Sequence, residues 1–221
     1  MIVSHKYKLI FLKTTKTAGT SVEVALSEFL GDDDVITPLH QTDEELRIEK
    51  GFKGAQNYVL KNKGGNARLS NHTAAVTAKK ILGEDIFDSY YKVAVARNPW
   101  ERIVSAYFFQ KAANESFVSF EEYLYSDRRL DGLIKHGWGI YTIDDKIVVD
   151  EVILYQNLNV SYRNLLQKLG ISSENGLPFT KVAGKKATAH YSEMYDDKSI
   201  ERVKNYFAKE IEAFGFQYSG M

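Results

Sequence analysis

Apolar residues fall along this chain in two textures. Three short unbroken runs, "YKLIFLK" (7–13), "YYKVAVA" (90–96) and "DEVILY" (150–155), predict buried strands, because each is brief, apolar and bounded by polar residues. Elsewhere the apolar positions recur every three or four residues. Val22, Ala25, Leu26, Phe29 and Leu30 predict a helix that "GDDD" (31–34) stops. Residues 43–50 and the Ala-rich stretch 73–82 read as helical. Asn98 as N-cap, Pro99 at the first helical position and Glu101 as the capping-box acid open a further helix, with Trp100, Ile103, Val104, Tyr107 and Phe108 as its core stripe. Two more helices are predicted, at 157–169 and 197–213. The second should bury Ile200, Val203, Phe207, Ile211 and Phe214. The Gly-, Asn- and Lys-rich stretch 51–72 reads as irregular surface, and "MIVSHKYKLIFLK" as a first strand rather than a secretion signal. Strands alternating with helices predict an α/β fold, with a central, mainly parallel sheet covered on both faces. Ligands in such folds bind at the carboxyl ends of the strands.

Composition narrows the classes. With 221 residues, 44% of them hydrophobic, the chain can bury a sizeable core. Its 29 basic and 29 acidic side chains cancel, so no overall field favours nucleic acid or an anionic membrane. No cysteine is present, which excludes disulfides, thiolate metal sites and a cysteine nucleophile and fits a reducing compartment. No apolar run approaches the ~18 residues of a membrane helix. These features lead to the expectation of a soluble, cytoplasmic protein.

Chemistry collects behind two predicted strands. "TTKTAGTS" (14–21) has the parts of a phosphate loop in an unusual order: Lys16 precedes Gly19, and Thr20 and Ser21 close it. Backbone N–H groups from Thr17 to Ser21 open a helix, where unpaired donors and the dipole hold anions. Lys16 adds a charge, and the Thr17, Thr20 and Ser21 hydroxyls add donors. A Thr/Ser-rich turn that only caps the helix is the alternative. In "VAVARNPWERIVSAY" (93–107), Arg97 ends a strand beside the next helix, and its planar fork suits a phosphate monoester. Ser105 lies two turns on, off the apolar stripe. The alternative is that Arg97 pairs with a nearby carboxylate and Ser105 is merely exposed. Taken together, two anion sites suggest a ligand with two phosphate-like groups. Arg97 stands where a nucleotide kinase would carry a magnesium-binding aspartate. "GDDD" follows a helix rather than a strand, which makes it a solvated turn, and the five histidines lack ligand spacing. The ligand is therefore read as held without a metal.

"KTAGTS" after a strand, "RNPWERIVSAYF" some eighty residues on and the closing "AKEIEAFGF" resemble the carbohydrate-type sulfotransferases, from about residue 6 to 218. The resemblance implies one sulfotransferase domain over 1–221. It also implies a three-layer α/β/α fold, P-loop-kinase-like, that uses 3′-phosphoadenosine 5′-phosphosulfate as co-substrate and releases adenosine 3′,5′-bisphosphate. By that likeness Lys16, Thr17, Ala18, Gly19, Thr20 and Ser21 would wrap the 5′-phosphosulfate, Lys16 also serving catalysis at the bridging oxygen. Arg97 and Ser105 would hold the 3′-phosphate. His72, in "SNHTAA", matches the position of the family's catalytic base, and imidazole suits proton removal near neutral pH. A helix-cap histidine bonded to backbone is the alternative, and His40 is the competing base. His5, His136 and His190 read as structural or surface residues. "FTKVAGKKATAHY" (179–191) resembles the loop over the nucleotide, where Lys185 or Lys186 would reach the 3′-phosphate; Lys186 is the assigned contact. One departure is Thr15, where the family often carries proline, and it should alter loop stiffness.

The resemblance implies a hydroxyl acceptor on a glycan, a lipid or a small alcohol, with carbohydrate the first choice. Six basic residues and one acid between Arg47 and Arg68 suit an anionic glycan, or form a solvated loop that Gly64 and Gly65 let move as a lid. Two rivals remain: a P-loop-like small-molecule kinase, and a non-catalytic bisphosphate-binding module.

Overall fold

The computed structural model describes residues 1–62, 65–114, 116–173, 175–178 and 190–219. In chain order the elements are β1 (Ile2–Ser4), β2 (Leu9–Leu12), α1 (Gly19–Leu26), β3 (Val35–Ile36), α2 (Gln41–Glu49), β4 (Val59–Asn62), β5 (Gly65–Arg68), α3 (Ala75–Leu82), α4 (Glu84–Ser89) and β6 (Tyr91–Ala96). There follow α5 (Pro99–Ala113), α6 (Phe120–Leu124), α7 (Asp127–Lys135), α8 (Trp138–Tyr141), β7 (Thr142–Ile143), β8 (Lys146–Ile147), β9 (Glu151–Leu154), α9 (Leu158–Lys168), α10 (Asp197–Tyr206) and α11 (Ala208–Phe214). They make a mixed α/β chain of two compact units: residues 1–96 with 139–180, and residues 97–138 with 181–221.

The first unit is built on a five-stranded sheet of order β3-β1-β2-β6-β9. Leu9 to Leu12 pair in parallel with Tyr91 to Ala94, and Val93 to Ala96 in parallel with Glu151 to Leu154. Both β2 and β3 pair antiparallel with β1, so four strands run one way and β1 alone is reversed. The sheet is mainly parallel, as the apolar runs predict. Leu9, Phe11, Val93, Val95 and Ile153 share one cluster with Val22, Ala25 and Leu26 of α1 and with Leu158, Tyr162, Leu165 and Leu166 of α9. The alternate residues Ile10, Leu12, Ala94 and Ala96 point to the other face and are equally buried, so the runs lack a polar face. On that side the Phe87 ring of α4 lies 5.6 Å from Lys92 Nζ.

Three sequence expectations are corrected in this unit. The first strand is two strands: His5 to Lys8 form a turn, with Lys8 left-handed at φ 48°, and β1 folds back on β2 from Ile2↔Phe11 to Ser4↔Leu9. Within 51–72, β4 and β5 pair antiparallel, Val59↔Arg68 to Asn62↔Gly65. No hydrophobic alternation marks them, because neither face is buried; even Val59 is 48% exposed. The "GDDD" turn is partly internal. Asp34 is buried and accepts from Ser4 Oγ (3.2 Å), the His5 N–H (2.6 Å) and the Gly31 N–H (2.8 Å).

The second unit is helical. Asn98 caps α5 by accepting the Trp100 N–H at 3.2 Å, with Pro99 in the first turn. Trp100, Ile103, Ala106 and Tyr107 pack with Tyr123, Leu124, Leu130, Leu133, Val203 and Phe207. Phe108, predicted to be core, is 40% exposed, and Ala106 takes the buried position instead. The last predicted helix is two helices broken at Phe207 (φ −107°, ψ 23°). Phe207 and Val203 are buried, whereas Ile200, Ile211 and Phe214 are only partly so.

Across that cluster Arg102 of α5 donates a two-pronged pair of bonds to Glu210 of α11, Nη1 to Oε1 at 2.9 Å and Nη2 to Oε2 at 2.7 Å, with both side chains out of solvent. A buried pair contributes little beyond an apolar substitute, but losing one partner strands the other charge. Glu210→Ala should therefore lower unfolding free energy by about 3–5 kcal/mol in urea titration, and Arg102→Met with Glu210→Leu by clearly less. Equal losses would show that burial of charge is not what matters there.

Candidate functional site

The loop after β2 is fixed from below. The Thr14 hydroxyl donates to the Val95 carbonyl of β6, so the loop root is tied to the neighbouring parallel strand. Thr17 is fully buried; its Oγ1 sits 2.7 Å from Thr14 Oγ1 and 3.3 Å from the Thr14 carbonyl. With the Thr14 proton committed to Val95, the Thr17 hydroxyl donates back into the loop. This corrects the expectation that this hydroxyl faces an anion; what Thr17 offers is its backbone.

Lys16 and Ala18, on either side of Thr17, are left-handed at φ 64° and φ 60°. For residues with a Cβ that conformation costs roughly 1–2 kcal/mol each, strain of the kind that collects at ligand-binding loops. Ala18 then opens α1, its carbonyl accepting the N–H groups of Ser21 (3.0 Å) and Val22 (3.3 Å). Helix geometry leaves the Gly19 and Thr20 N–H groups with no intrahelical acceptor. Lys16, Ala18 and Thr20 are partly exposed and Ser21 is buried.

Sequence reasoning missed the group behind the loop. Lys13, 5% exposed, places Nζ 2.7 Å from Glu23 Oε2 and 3.2 Å from Asn71 Oδ1; Glu23, on α1, is 0% exposed and its Oε1 accepts from the Met1 nitrogen. A signal was present: a lysine closes an apolar strand, and a lone glutamate interrupts the apolar "SVEVAL". Opposite charges in apolar settings are found paired when buried.

His72 stands on the same root. Its Nδ1 donates to the Lys13 carbonyl at 2.9 Å, which in the neutral ring leaves the lone pair on Nε2. The N-cap of α3 is Ala74, with no side-chain cap bond, so His72 is not a cap residue. Three other histidines are engaged elsewhere in the fold. His40 Nδ1 is 3.2 Å from Thr42 Oγ1 in an exposed position, His5 Nδ1 is 2.7 Å from the Tyr90 hydroxyl, and His190 Nδ1 is 2.8 Å from Ser192 Oγ. Burial, with Lys135 beside it, pulls the His136 pKa below its ordinary value.

Arg97 follows β6 directly, and its Nε donates to Glu101 Oε2 at 3.3 Å one turn along α5. Glu101 is thus a partner of Arg97 rather than the predicted capping-box acid. Ser105, further along α5, is partly exposed. Lys185 and Lys186 lie outside the described residues. The basic stretch is dispersed: Arg47 is buried and paired with Glu44 at 3.2 Å, Lys53 pairs with Asp32, and Arg68 lies 5.2 Å from the Tyr58 ring centre. Among the described residues no helix is long and apolar enough to cross a membrane.

Comparison with known proteins adds three findings. A sequence profile of the sulfotransferase family matches residues 1–217. An uncharacterized protein of Archaeoglobus fulgidus is 30% identical over 94 residues, which is 42% of this chain and 78% of that protein. The crystal structure of a sulfotransferase from Alicyclobacillus acidocaldarius aligns over 96% of this chain and 87% of its own, at 14% identity and a TM-score of 0.40.

A Cβ at Gly19 would meet Lys13 Cγ at 2.7 Å, and that stem is pinned by Glu23 and Asn71. Gly19→Ala should lower stability by about 1–3 kcal/mol in chemical denaturation. Unchanged stability would mean that the lysine stem is not held.

Proposed function

The chain belongs to the sulfotransferase family, and we propose that it moves a sulfuryl group from 3′-phosphoadenosine 5′-phosphosulfate to a hydroxyl of an acceptor, with carbohydrate the favoured class and His72 the base. The observation that carries this reading is the His72 ring, bonded through Nδ1 to the carbonyl of the residue that roots the anion loop, with its lone pair on Nε2. The family match runs through both compact units, which supports one catalytic domain.

The nucleotide supplies an activated sulfuryl group. The proposed role of the loop from Lys16 to Ser21 is to hold the 5′ end, with the Gly19 and Thr20 N–H groups and the Lys16 ammonium as donors. Arg97 with Ser105 takes the 3′-phosphate in this reading; phosphate replaces the Glu101 carboxylate on the Arg97 fork, a stronger and more highly charged partner. His72 Nε2 removes the acceptor hydroxyl proton as that oxygen attacks sulfur. The sulfur–bridging-oxygen bond breaks, and the electron pair leaves with adenosine 3′,5′-bisphosphate. In this reading Lys16 and the loop donors face the place where that negative charge collects, and donors held in advance in that way lower the barrier. The scheme assigns no role to a metal.

His72→Ala should lower kcat by about 10²–10⁴ while leaving the Kd for adenosine 3′,5′-bisphosphate within about twofold. Equal loss of turnover and nucleotide affinity would contradict the assignment. Arg97→Ala should do the reverse, weakening that Kd by about 10–150-fold, the equivalent of one lost charged hydrogen bond. The same titration discriminates the kinase reading, in which Mg·ATP, and not the bisphosphate, stabilises the protein.

A further inference from the structure

The Asn71–His72 turn is gripped twice by one residue. Lys13 Nζ reaches Asn71 Oδ1 at 3.2 Å, and the Lys13 carbonyl, at the other end of the same residue, accepts from His72 Nδ1 at 2.9 Å. The turn itself is stiff. Thr73 Oγ1 accepts the Ser70 N–H at 2.7 Å and donates to the Ser70 carbonyl at 3.0 Å, and the Thr73 N–H donates to that carbonyl at 3.2 Å. Lys13 in turn is held on α1 by Glu23 Oε2 at 2.7 Å, inside the protein, where water does not compete for the ammonium.

A neutral imidazole in solution exchanges between two tautomers, and only one has its lone pair on Nε2. A carbonyl can only accept, so the Lys13 oxygen selects the ring with hydrogen on Nδ1. That selection lasts as long as residue 72 stays within hydrogen-bond reach, and the Asn71–Lys13 bond sets that distance. We infer that Asn71 and the Lys13 side chain are positioning residues for His72, holding its ring in the Nε2-basic tautomer beside the anion loop, with Glu23 as the anchor of the lysine. This inference rests on the reading of His72 as base.

Asn71→Ala is the direct test, because it leaves the Lys13–Glu23 ion pair intact. Its kcat should fall about 10- to 100-fold, the scale of a misplaced catalytic group, with the Kd for adenosine 3′,5′-bisphosphate unchanged within twofold. Nitrogen-15 NMR of the His72 ring, assigned by its loss in His72→Ala, should show one tautomer with hydrogen on Nδ1 in the native protein and a mixture in Asn71→Ala. Asn71→Asp, which restores an acceptor for Lys13, should recover most of the turnover. In a His72→Ala background Asn71→Ala should cost nothing further. A native-like kcat and a single Nδ1–H tautomer in Asn71→Ala, with His72→Ala inactive, would overturn the positioning role and leave the base assignment standing. Full turnover in His72→Ala would overturn the base assignment, and this inference with it.

Discussion

An ammonium taken out of water needs a counter-charge, and at the end of β2 Lys13 finds one in Glu23. Much of the local architecture follows from that pairing. It sets how close α1 comes to the strand end and leaves no space for a side chain at residue 19. It also gives residue 71 something to bind. The loop in between is then enclosed from three directions: by the lysine stem, by the Thr14 bond to β6, and by the first turn of α1. A loop held in that way can keep Lys16 and Ala18 in left-handed backbone that would relax in an isolated peptide.

Both faces of β2 and nearly all of β6 are buried, so these strands carry no polar alternation and are legible as bare apolar runs. The helix starting at Asn98 was legible for a different reason: cap, proline and stripe stand in adjacent positions and report on purely local geometry. Where structure depends on a partner, the sequence was silent. β4 and β5 satisfy each other's backbone without burying a face, so no hydrophobic period marks them. The break at Phe207 leaves apolar spacing nearly unchanged on either side, which is why 197–213 read as one helix.

The candidate site divides in the same manner. Lys16 to Ser21 could be picked out because a lysine, a glycine and hydroxyls directly follow a strand. The direction of the Thr17 hydroxyl could not, since it is decided by a carbonyl on β6 acting through Thr14. Nor could the partner of His72, which lies 59 residues earlier in the chain. Arg97 illustrates an intermediate case. Its place at a strand end was readable and so was a carboxylate partner, but the identity of that partner, Glu101, competed with a helix-capping role that fits the same spacing.

The proposed sulfuryl transfer asks for an anion cradle, a base and an oriented donor set, and the proposal assigns these to a short polar loop on a mainly parallel sheet and to His72. The account turns on a single nucleotide being held at two ends. A crystal structure with adenosine 3′,5′-bisphosphate bound tests it most directly. The prediction is a 5′-phosphate on the Gly19 and Thr20 N–H groups, with Arg97 turned from Glu101 to the 3′-phosphate. A nucleotide bound elsewhere, or Arg97 still on Glu101 with the 3′-phosphate in solvent, would contradict it.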